Sequence, residues 1–131
     1  QAGVPLYQLI SAFEESACDL IHTEIDLDRW VSCLDDNERG DVEKLYHNAE
    51  EEKADLRLVD CLNTRQINEI IREYGLLDRL GFDEERADET LDEIENLRND
   101  VMHQRPIVGE HSFSEFVEIV SDLKQFNQAL E

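Results

Sequence analysis

Residues 88–103 read "DETLDEIENLRNDVMH", and the spacing of their apolar side chains decides the fold. Ala87, Leu91, Ile94 and Val101 recur at the three- and four-residue intervals of one helical face, and Leu97 widens that face. Asp83, Glu84 and Glu85 fall in the first turn, where negative charge suits the helix dipole. The helix is expected to stop at His103. The following "QRPIVGEH", 104–111, carries Pro106 and Gly109 and reads as a loop. One position breaks the seam: after Ile94 the next inward place belongs to Arg98.

The same periodicity extends to both sides. Downstream, Ser112 and Glu115 make a capping box for a last helix carrying Phe116, Val117, Ile119, Val120, Leu123, Phe126 and Leu130. Upstream, Pro5 marks a helix start, and Leu9, Ile10, Phe13, Ala17, Leu20 and Ile21 form one face. That face continues through Leu27, Trp30, Val31 and Leu34, as one long helix or as two with a break near Thr23–Asp26. "DDNERG", 35–40, reads as a turn. A helix with Val42, Leu45, Tyr46 and Ala49 follows and runs out in "AEEEKAD", 49–55. Asn63 with Gln66 is a capping start for Ile67, Ile70, Ile71 and Tyr74, and Gly75 suits the residue just past the helix end. Leu76 to Phe82 reads as a short apolar connector. The expectation is an all-α, antiparallel bundle of four to six helices forming one domain over residues 1–131.

Composition narrows the function classes. Asp and Glu number 33 against 12 Lys and Arg, giving a net charge of −21. Such a surface is a halophilic shell, a docking face for a basic partner, or a solubilising coat, and the scarcity of lysine leans toward the first. At low salt it repels nucleic acid. At high ionic strength the screening length falls to about 3 Å, and an anionic substrate is no longer barred. No apolar run is long enough for a membrane span, and no signal-peptide pattern opens the chain. The chain begins at Gln1 rather than Met, as a fragment or processed chain would, and the closing Leu-Glu carries no weight. Cys18, Cys33 and Cys61 make no CxxC and no even disulfide set, which points to reduced thiols and a cytoplasmic setting. There is no Gly-rich phosphate loop and no GxSxG.

The candidate site gathers at the end of the 88–103 helix. An arginine in an apolar seam needs a carboxylate, a dimer cleft or an anionic ligand. The plainer reading is a structural ion pair to Glu14 or Glu15 of the first helix. Asn99 and His103, four apart, share a face beside Arg98. A fixed cation, an amide and a titratable imidazole together suit metal-free RNA cleavage. The imidazole takes the 2′-hydroxyl proton, and the guanidinium meets charge building on the phosphorane oxygens. Arg105 to His111 repeats the spacing inside the loop, where Arg105 is placed to reach a phosphate. No metal or cofactor is expected. Asp19/His22 and Asp100/His103 have helical i, i+3 spacing, but acidic residues are abundant enough for such pairs to arise by accident.

"LRNDVMH", 97–103, resembles the Arg-Asn-x-x-x-His form of the signature motif of the HEPN superfamily. "FEESACDLIH", 13–22, is similar to the opening helix of HEPN domains found beside CBS domains, with Glu14 at the position of a frequent acidic residue. The resemblance implies a helical bundle acting as a homodimeric, metal-independent endoribonuclease. By residue, it implies transition-state stabilisation by Arg98, general base or acid work by His103, and polar assistance from Asn99. It also implies a toxin or defence effector restrained by an inhibitory partner protein or fused domain. A catalytically silent HEPN dimerisation module and an unrelated acidic helical adaptor are the alternatives.

Overall fold

The computed structural model describes residues 6–102 and Gln125. Within them the chain is all-α, as the periodicity predicts: six α-helices and one short 3-10 helix, with no strand among the described residues. The chain divides into two compact units, one of residues 17–74 and one that joins the first half of α1 to the chain from Gly75 onward.

Helix α1 spans Leu6–Glu24 and supplies residues to both units. The predicted break falls at Ile25–Asp26, and α2 follows at Leu27–Val31. Asp26 takes an extended conformation at the start of α2, while Ile25 is buried and its amide still donates to the Ile21 carbonyl at 3.0 Å.

In the 17–74 unit the helix α3 covers Asp36–Glu51. The expected turn at 35–40 is therefore a helix start instead. Asp35 is its N-cap: the Asp35 carboxylate accepts from the Glu38 amide at 2.8 Å, and the Glu38 carboxylate accepts from the Asp35 amide at 3.1 Å. Two reciprocal bonds satisfy otherwise orphaned donors, which outweighs the weak helix propensity of Gly40. The sequence expectation also placed Leu45 on the apolar face, yet its exposure is 55%, whereas Val42 and Ala49 are buried. After α3 the 3-10 helix Leu58–Cys61 packs against it. Helix α4, Thr64–Glu73, begins with the predicted box, in which Asn63 and Gln66 exchange side-chain-to-amide bonds of 2.9 Å. Trp30, Ile67, Ile70 and Ile71 lie in this unit's core.

Gly75 follows the α4 cap with φ +57°, a left-handed conformation that favours glycine. The expected connector from Leu76 is partly helical: α5, Leu76–Arg79, is a single turn that buries Leu76 and Leu77 and packs on α6. Helix α6, Glu84–Met102, has Asp83 at its head, whose carbonyl accepts the Ala87 amide at 2.8 Å. Ala87, Leu91, Ile94 and Leu97 are buried in the unit that also buries Ile10 and Phe13 of α1. Of the predicted seam, Ala87, Leu91 and Ile94, with the flanking Leu97, thus form a buried face of α6; the Val101 side chain lies outside the described residues. The predicted loop 104–111 and, apart from the helical and exposed Gln125, the predicted last helix 112–130, with His103 and Arg105, lie outside the described residues.

Candidate functional site

Two helices of one unit bring Glu14 and Arg98 together. Glu14 follows the fully buried Phe13 on α1, so its carboxylate stands at the edge of the core. Arg98 comes four residues after the fully buried Ile94 and directly after the buried Leu97. Arg98 Nε lies 3.6 Å from Glu14 Oε2, and the two side chains are 35% and 23% exposed. That separation is an ion pair longer than a hydrogen bond. Of the two carboxylates the sequence offered, the structure selects Glu14; Glu15 is exposed. Asn99 is exposed on α6 next to Arg98.

The other acid–base clusters belong to the 17–74 unit, and sequence reasoning did not find them. Arg57 Nη2 donates to Asp19 Oδ1 at 2.6 Å and to Asp60 Oδ1 at 2.9 Å, and Arg57 Nε donates to Asp60 Oδ2 at 3.1 Å. The Arg57 amide adds a bond of 2.9 Å to the same carboxylate. Burial pushes the Asp60 carboxyl up, but the Arg57 hydrogen bonds and charge, with a contribution from His22, hold it below its ordinary 3.8. Hydrogen bonds from Arg57 to Asp60 and then Asp19 push the guanidinium pKa up in turn. The i, i+3 spacing of Arg57 and Asp60 was a usable signal for half of this cluster. Asp19, which the sequence paired with His22 as an accidental metal motif, is instead a partner of Arg57. Among the described residues no group of three or more His, Cys, Asp or Glu side chains is arranged to hold a metal ion. Arg65 joins Glu38 to Glu69 by ion pairs, so the capping box of α3 is tied to α4.

The ends of α2 and α4 enclose an open cleft of about 560 Å³ lined by Ser32, Cys33, Glu69, Arg72, Glu73 and Tyr74. Tyr74 donates its hydroxyl proton to the Arg29 carbonyl at 2.7 Å, and the Arg29 guanidinium sits 4.9 Å from the centre of the Tyr74 ring. Burial pushes the Cys33 thiol up; a hydrogen bond with Tyr74 opposes this, and the charges of Glu73 and Glu69 add to it. Burial likewise raises Cys61, and Cys18 is buried with its thiol donating to the Val59 carbonyl at 3.3 Å. All three cysteines are free thiols, and neither raised pKa favours a nucleophilic thiolate.

No helix among the described residues is long and apolar enough to cross a membrane. Comparison of the chain with models of known families, with characterised proteins and with solved structures finds no match.

Proposed function

We propose that this chain is a metal-independent endoribonuclease of the HEPN type, acting as a homodimer and using no cofactor. The observation that carries this reading is Arg98. A guanidinium occupies a seam position of α6 beside the buried Ile94 and Leu97, is met by an α1 carboxylate, and is 35% exposed. A permanent cation in that setting is suited to stabilising charge that grows on a phosphate during reaction. In the proposed reaction the 2′-oxygen attacks the adjacent phosphorus and the P–O5′ bond breaks. His103 from one copy removes the 2′-proton, and His103 from the other protonates the departing 5′-oxygen. Arg98 stabilises the phosphorane, Asn99 holds the imidazole or the phosphate, and Arg105 contacts a flanking phosphate. A toxin or defence effector restrained by an inhibitory protein or fused domain fits this activity, because uncontrolled RNA cleavage harms its own cell.

A second reading rests on the same ion pair. The Glu14 carboxylate neutralises Arg98, as a silent HEPN dimerisation module would allow. One experiment separates them: single-stranded RNA is incubated with the protein in EDTA over a salt series, beside His103→Ala and Arg98→Ala. The ribonuclease gives 2′,3′-cyclic phosphate ends, and each variant slows cleavage by about 10²- to 10⁴-fold. Wild-type protein that dimerises but leaves RNA intact at every salt supports the silent module. Undiminished cleavage by His103→Ala ends the ribonuclease reading.

A further inference from the structure

We draw no further inference here: the strongest candidate, the open cleft at the ends of α2 and α4, carries nothing, because Tyr74 is already engaged by Arg29 and Glu69 by Arg65, and Glu73 beside the lone thiol of Cys33 has no second feature among the described residues that points to a ligand.

Discussion

Arg57 and Arg98 each meet a carboxylate of α1, Asp19 for one and Glu14 for the other, yet the two sites are built differently. Around Arg57 the chain supplies a second carboxylate three residues on, fixed by both the side chain and the backbone amide of the arginine. This closes the loop after α3 onto the 3-10 helix and ties both to α1. Around Arg98 the contact to Glu14 is longer, and it stands beside buried Leu97 on a helix face that is otherwise apolar. The first arrangement fixes geometry. The second places a partly exposed guanidinium beside an apolar face. Arg98 is 35% exposed at its side chain, so its charge does not bear the full desolvation cost of a buried ion.

Breaking the Arg57 arrangement is expected to have the largest effect on stability. Arg57→Ala leaves Asp60, 20% exposed at its side chain, without its partner and should cost about 2 kcal/mol, measured as a lower urea midpoint with unchanged slope. Half that loss or less would mean that Asp60 is rescued by water. Acid should reproduce part of the effect. The folded Asp60 carboxyl lies below its ordinary 3.8, so its contribution is complete above that value and fades as the pH falls through the lower, folded value. Urea midpoints below about pH 4 should therefore fall more steeply in wild type than in Asp60→Asn.

Smaller changes sharpen the contrast. Asp19 is 58% exposed and Arg57 38%, so solvent screens their pair, and Asp19→Asn should cost only about 0.5 kcal/mol despite the 2.6 Å contact. Arg98→Leu is expected to shift stability least, by within about 0.5 kcal/mol of wild type, because an apolar side chain completes the seam as the ion pair is lost. A loss as large as that of Arg57→Ala would make Arg98 a structural residue and remove the reason for assigning it a role in function.

Local rules made much of this legible. The Asn63–Gln66 box, the left-handed Gly75 and the break after Glu24 depend on neighbouring residues, and each lies where the sequence puts it. The seam Ala87, Leu91, Ile94 and Leu97 is buried for the same reason: helical spacing dictates which side chains share a face. The stretch 35–40 has the composition of a turn, yet the Asp35–Glu38 capping box starts a helix there, by the same rule that holds at Asn63. Leu45 fits the period of its helix and is still exposed, because period defines a face but not how far neighbouring elements cover it.

By itself, then, the sequence determined the all-α class, the longer helices among the described residues, the start of α4, the acidic composition and the place of Arg98 on its helix, all consequences of bonds and spacings within a few residues. Tertiary structure alone decided that Glu14, rather than its neighbour Glu15, meets that arginine, and that Asp19 belongs to Arg57 across 38 residues of chain. Which charges meet depends on how helices are rotated and set in depth against one another. That rotation follows from the packing of whole apolar faces, which the spacing along one helix does not contain.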